Sequence, residues 1–216
     1  MAIKLYYFGL PGRAEVARLC LHIAGTDFED LRFSFEDWSK FKAKMPFGQA
    51  PVLEVDRKLL AQSAAIDRYL AAKAGLVPED LWQAALADQA YCYCHDLMQP
   101  LYDTFKIKEL DEKIAARKAV LDGPLKDKLA HATKLVEAAA DGYVAGPTLS
   151  HGDLHLFSTL STLTSGWLDG VPKDLLDSYP VLKAYRNKIA SHPKVKAYYE
   201  KAENDDDVRR AYKPDA

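Results

Sequence analysis

Tyr6 and Tyr7 lie in a short aromatic and aliphatic run, Lys4-Leu5-Tyr6-Tyr7-Phe8, and Arg13 follows the break Gly9-Leu10-Pro11-Gly12. The run has the composition of a buried strand, and Pro and Gly end it. Arg13-Ala14-Glu15-Val16-Ala17-Arg18-Leu19 then begins a helical pattern. A strand-to-helix turn leaves helix N-terminal amides facing outward, where they suit an anion. Tyr7 stands where the strand ends, so the same turn can present its hydroxyl. A phenol donor, an arginine and a helix N-terminus together suit stabilisation of an anion, and the anion expected here is a thiolate. On composition alone Tyr7 is equally an aromatic of a buried strand, Arg13 a surface arginine of a first helical turn, and Tyr6 a rival donor.

The elements that must hold these groups read as follows. Residues 4–8 form a strand, 13–24 a helix, 28–33 a second strand and 38–44 a short helix. An irregular loop through Met45-Pro46-Phe47-Gly48-Gln49 leads to strands at 52–55 and 58–61 around a turn at Asp56-Arg57, and a helix over 63–74 follows. The order βαβαββα suits a small mixed α/β domain. Residues 75–80 are turn-rich and nothing after them reads as a strand, so the boundary is expected at residue 75, with 76–216 all helical. There a long helix over 79–99 meets Pro100, which should kink or end it. Helical periodicity resumes at 109, meets Gly123-Pro124 and continues to about residue 140, where Gly142 is the expected C-cap. Ser150-His151-Gly152-Asp153 has the grammar of a capping box. Pro180 and Pro193 each start a helix, and the tail after Glu203 is expected to be loosely held.

Composition bounds the partners. The 216 residues are 49% apolar and 28% charged with a formal net charge of −2, enough for a sizeable core and a poor match to nucleic acid or an anionic membrane. No signal peptide or membrane span is legible, so a soluble cytoplasmic protein is expected. Cys20, Cys92 and Cys94 make neither a disulfide framework nor a C-x-x-C pair. His151 and His155 are four apart on one helix face, half of a metal site with no third ligand, so no metal is expected.

Several motifs then occur together in one order: Tyr7-Phe8 with Gly12-Arg13-Ala14-Glu15, Trp38 with Lys42, Gln49-Ala50-Pro51-Val52, Gln62-Ser63 with Ile66-Asp67-Arg68-Tyr69-Leu70, Asp96, and Ser150-x-x-Asp153. In these the whole chain resembles the cytosolic glutathione transferases of the tyrosine type, the sigma class most of all. The resemblance implies a thioredoxin-like N-terminal domain followed by an all-helical domain, assembled as a homodimer. It implies glutathione as co-substrate, conjugated as its thiolate to hydrophobic electrophiles, and it selects Tyr7 over Tyr6 as the donor, with Arg13 adding positive potential.

The same resemblance distributes the rest of the site. Pro51 is the cis-proline of such a domain, and the backbone of Ala50 pairs with the cysteinyl part of glutathione. Gln62 and Ser63 take the γ-glutamyl carboxylate, and Asp96 reaches the γ-glutamyl amine across a dimer interface. Trp38, Lys42 and Gln49 take the glycyl carboxylate. Gly9, Leu10, Tyr102, Phe105 and Tyr212 line the electrophile pocket between the domains. Read without the family, Ser63 is a plain N-cap, Asp96 a solvated helix aspartate and Trp38 packing. Phe47 lies where many relatives place an aromatic key into the partner subunit, although sigma-like interfaces are often more polar. Ser150 and Asp153 are assigned to folding.

Two departures bear on function. Arg57 stands in the strand-strand turn where relatives often carry Gly. Tyr93 and His95 flank Asp96 where sigma-class prostaglandin synthases carry acidic residues, which counts against prostaglandin D synthase activity. The alternatives to conjugation are a glutathione-dependent isomerase or peroxidase, and a non-catalytic carrier of apolar ligands or structural relative. A thioredoxin-type oxidoreductase is disfavoured because no cysteine occurs at the first strand-helix turn.

Overall fold

The computed structural model describes residues 2–139 and 142–215. Two compact units meet in sequence at Val77 and Pro78, one spanning Met1–Val77 and the other Pro78–Ala216.

The first unit is a four-stranded mixed sheet with helices. Its strands are β1 (Ile3–Phe8), β2 (Glu29–Phe33), β3 (Val52–Val55) and β4 (Lys58–Ala61), in the order β2-β1-β3-β4. β1 pairs parallel with β2 and antiparallel with β3, which pairs antiparallel with β4. Alternation along β1 buries Ile3, Leu5 and Tyr7 and leaves Lys4, Tyr6 and Phe8 half-buried, as a period-two pleat requires. Helices α1 (Glu15–Ile23) and α3 (Ser63–Lys73) pack on each other, and α2 (Trp38–Lys42) is a short helix between β2 and β3. Every residue of α1 except His22 is buried, Glu15 and Arg18 included. A single turn of 3₁₀ helix, Gly12–Ala14, comes before α1, so the α-helix proper starts two residues later than its pattern suggests. The two-residue β3–β4 turn puts both Asp56 and Arg57 at positive φ, 47° and 69°, the pair of left-handed residues that a tight hairpin demands.

The second unit is built around α7 (His151–Thr164), whose neighbours are α4 (Leu81–Asp103), α8 (Pro180–Ala190) and a 3₁₀ turn at Arg209–Tyr212. α5 (Leu110–Asp122), α6 (Pro124–Glu137) and α9 (Pro193–Tyr199) complete it. The expected capping box is present: Ser150 Oγ accepts from the Asp153 N–H, and the Ser150 N–H donates to the Asp153 carboxylate at 2.7 Å. That buried carboxylate also accepts from the Val144 N–H at 2.8 Å and from the Tyr185 hydroxyl. Gly152 is required by closeness: a Cβ there would stand 2.5 Å from the Ala87 carbonyl oxygen of α4.

Three expectations for this unit are corrected. Pro100 does not end the long helix, which runs on to Asp103. The run from 109 breaks at Gly123-Pro124 into α5 and α6, and α6 is capped at Ala138, not Gly142. Residues 140 and 141 of that run lie outside the described residues. The tail after Glu203 is held, not loose: Arg209 and Tyr212 are fully buried, and Arg186 donates to Asp215 at 2.8 Å and to the Lys213 carbonyl at 2.6 Å. Among the described residues no helix is long and apolar enough to cross a membrane.

Candidate active site

The end of β1 and the turn into α1 place two neighbouring tyrosines in opposite roles. Tyr6 donates its hydroxyl proton to Glu54 of β3 at 2.8 Å. Burial first, then Glu54, pushes its phenol up to about 12. Tyr7 lies on the buried face, with its hydroxyl oxygen accepting the Arg13 backbone N–H at 3.1 Å. An N–H takes a lone pair of that oxygen and leaves the phenolic proton for another acceptor. Gly12 permits this approach. It has φ 47°, and a Cβ on it would lie 2.7 Å from the Tyr7 hydroxyl oxygen and 2.7 Å from Leu10 Cδ1. Arg13 and Gly9 are exposed beside the turn, and Leu10 is half-buried.

The other residues of the first unit fall around this turn or along the loops that follow. Trp38 is half-buried against Phe8 and Phe33, with ring centroids 5.6 Å and 5.4 Å away. Phe35 and Phe41 extend this aromatic cluster. Packing therefore holds the indole whether or not it meets a ligand. Lys42 is exposed and borders an open depression with Ser39, Ala43, Met45 and Gly48. Phe47 is 65% exposed. The Ala50–Pro51 peptide bond is cis, immediately before β3. Gln62 has φ 74° and occupies the cap position of α3, making Ser63 the first helical residue rather than the cap itself. The Gln62 side-chain amide donates to the side-chain oxygen of Gln49 at 3.3 Å, so two residues expected at opposite ends of a ligand meet each other.

In the second unit Asp96 is exposed on α4. Its neighbours are committed within the unit: the Tyr93 hydroxyl donates to the Lys128 carbonyl at 2.8 Å, and His95 packs on Tyr91 and His155. Tyr102 and Phe105 stack with centroids 6.0 Å apart. Tyr212 is corrected: it is fully buried against Phe157 and Tyr199, shares a 2.7 Å hydrogen bond with Thr162, and contributes to a core rather than an open wall. Among the described residues no three His, Cys, Asp or Glu side chains are grouped to hold a metal; His151 instead meets Asp88 at 2.8 Å.

Sequence reasoning missed two residues here. Trp167 lies 5.5 Å from Phe105, extending the aromatic surface of the second unit, and its setting after Ser165-Gly166 offered no periodic signal. Arg18 is fully buried, and its only sequence signal was a charge at three residues from Glu15 on an otherwise apolar helix face.

Comparison with known proteins decides the family. Residues 3–72 match the glutathione S-transferase N-terminal domain, and residues 95–202 match the glutathione S-transferase C-terminal domain. The chain is 38% identical to glutathione S-transferase 1 of Ascaris suum over 84% of its own length and 87% of that protein. The chain belongs to the glutathione S-transferase family. Within it, the hematopoietic prostaglandin D synthase of Gallus gallus is 34% identical over 86% of this chain and 89% of that protein. The solved prostaglandin synthase D of Nilaparvata lugens superposes with a TM-score of 0.84 at 32% identity, covering 94% of this chain and 98% of that one. A four-stranded mixed sheet followed by a helical unit is the architecture shared with these family members.

Proposed function

We propose that this chain is a glutathione transferase that holds the glutathione sulfur as a thiolate against the Tyr7 hydroxyl and lets it attack a hydrophobic electrophile. The observation carrying this reading is the division of labour at the end of β1: the Tyr6 proton is spent on Glu54, whereas the Tyr7 oxygen takes the Arg13 N–H. A free thiol near pKa 8.5 is only about 3% ionised at pH 7. A donated hydrogen bond favours the charged sulfur. Lowering the pKa by about 2 units takes roughly 2.7 kcal/mol, within the reach of one charge-assisted hydrogen bond helped by Arg13 and the turn's amides.

On this reading the Ala50 backbone pairs with the cysteinyl part of the tripeptide. Ser63 and Gln62 serve the γ-glutamyl end, and Gln49, which Gln62 touches, serves the glycyl end. Trp38 and Lys42 take the glycyl carboxylate, Lys42 as a point charge. Gly9, Leu10, Tyr102 and Phe105 face the electrophile. The active form is a cytoplasmic homodimer in which Asp96 reaches the γ-glutamyl amine of the other subunit's site. Retention on immobilised glutathione followed by a conjugation assay with a chloronitrobenzene tests the reading. Retention without turnover would leave only a binding protein.

A second reading, isomerisation by the same thiolate, is favoured by the relatives named prostaglandin D synthase. Tyr93 and His95, which supply no carboxylate beside Asp96, weigh against it. Turnover of a prostaglandin endoperoxide beside the chloronitrobenzene separates the two.

A further inference from the structure

We propose that Arg18 is a positioning residue for the Tyr7 hydroxyl, holding the strand-to-helix turn so that the Arg13 N–H meets the phenol. The inference rests on the reading of Tyr7 as thiolate donor.

The guanidinium is fully buried, and every direction of its fork is used. Its Nη2 donates to the Phe8 carbonyl at 3.2 Å, and its Nη1 to the Leu10 carbonyl at 2.9 Å and the Pro11 carbonyl at 3.4 Å. Those three carbonyls span the turn between Tyr7 and Arg13. Nε is braced on Asp30 of β2 at 3.0 Å, and Nη1 also meets Glu15 at 3.2 Å. One planar group thus ties together the end of β1, the turn, the first residue of α1 and the neighbouring strand. Its Cζ lies 5.8 Å from the centre of the Tyr7 ring.

The geometry of the peptide unit gives this grip its consequence. In a trans peptide the N–H points opposite to the preceding C=O. Drawing the Phe8 and Pro11 carbonyls onto the guanidinium therefore turns the Gly9 and Gly12 N–H groups away from it. It also fixes the path from Pro11 to Arg13 and hence the 3.1 Å contact between the Arg13 N–H and the Tyr7 oxygen. A buried cation needed only for stability could be satisfied by its two carboxylates. Three carbonyls from one turn are what a positioning role requires. A lysine places three donors at one point and cannot span that fork.

The test uses the full-length enzyme and reads the pH dependence of kcat/KM with glutathione and a chloronitrobenzene. Affinity for S-methylglutathione, whose sulfur has no proton to lose, is measured alongside. Arg18→Lys keeps the charge and removes the fork. The expected result is a midpoint raised by about one unit, which is about a tenfold loss near pH 6 that disappears above about pH 9. S-methylglutathione affinity stays within about twofold. A loss equal at every pH, or an unmoved midpoint, overturns the proposal.

Should Arg18→Lys fail to fold, Asp30→Asn loosens the brace and leaves the arginine in place. Lost positioning raises the midpoint in that variant, by about half a unit or roughly threefold, whereas removal of a negative charge alone lowers it. An unchanged or lowered midpoint there overturns the proposal. A parent enzyme whose midpoint sits at the free-thiol value of about 8.5 removes the Tyr7 reading and this inference with it. A lowered parent midpoint that neither variant moves removes the inference alone.

Discussion

The hydroxyl oxygen of Tyr7 lies 3.1 Å from the backbone nitrogen of Arg13, six residues further along the chain. That contact closes the turn between β1 and α1 and orients a phenol whose ring is otherwise buried. Replacing Tyr7 by Phe keeps the ring and deletes the oxygen. Glutathione retention is expected to survive, with conjugation at pH 7 falling about 25-fold for a lost pKa shift of about 2 units, and the deficit closing as pH rises past about 9. Tyr6→Phe, which removes the Glu54 contact, leaves conjugation unchanged. Rate–pH profiles of the two variants check the assignment; equal profiles for Tyr7→Phe and parent would sink it.

Gly12→Ala reaches the same hydroxyl from the opposite side. The new Cβ stands 2.7 Å from the Tyr7 oxygen on a backbone at φ 47°, so the phenol must move or the turn must open. Activity is expected to fall at least as far as in Tyr7→Phe. The thermal midpoint should fall as well, since a left-handed non-glycine residue costs about 1–2 kcal/mol. A variant with parental activity would show that the phenol tolerates displacement.

Arg57 offers the reverse experiment. It occupies the hairpin turn at φ 69°, is exposed, and is where a glycine would sit without strain. Arg57→Gly is expected to stabilise the protein by about 1 kcal/mol, a rise of about 2–4 °C in the thermal midpoint, with activity unchanged. A fall in the midpoint on calorimetry would contradict this.

The cysteines should separate by reactivity. Cys92 is exposed, whereas Cys20 and Cys94 are buried. Burial, with Asp67 adding to it, pushes the Cys20 thiol well up; burial likewise raises Cys94 to about 12, against a hydrogen bond from Thr159. One thiol per native chain is therefore expected to react with an aromatic disulfide reagent, and Cys92→Ser abolishes that reaction. A raised folded-state value favours the neutral thiol, so for Cys94 that stabilisation is complete below about pH 9 and drains away as pH rises towards 12. For Cys94 the loss near pH 10.5 is roughly 2 kcal/mol, read as a lower urea midpoint that Cys94→Ala makes less pH-dependent.

The legible parts of this fold were those governed by local rules. An aromatic and aliphatic run ended by Pro and Gly marked β1, turn residues marked the hairpin, and Ser150 with Asp153 marked the start of α7, each within a few residues. The choice of Tyr7 over Tyr6 was not local. It rested on resemblance, and the contact that occupies Tyr6, a hydrogen bond to Glu54 two residues along β3 from its partner Val52, depends on the pairing of β1 with β3. Arg18 was hard to read because three of its acceptors are backbone carbonyls, which have no letter in a sequence, and Asp30 reaches it only from the neighbouring strand. The tail was misread because a highly charged, proline-containing stretch resembles a loosely held one until Thr162, Phe157 and Tyr199 are seen around Tyr212.

The burial of Tyr212 and Arg209 beside α7 sets an order for synthesis on the ribosome. All four strands of the first unit have emerged by Ala61 and α3 by Lys73, so that unit can fold while the rest is still being made. The helical unit cannot close around α7 until residues 209–212 have been added, and a chain stalled before residue 209 would expose that seam to chaperones and proteases.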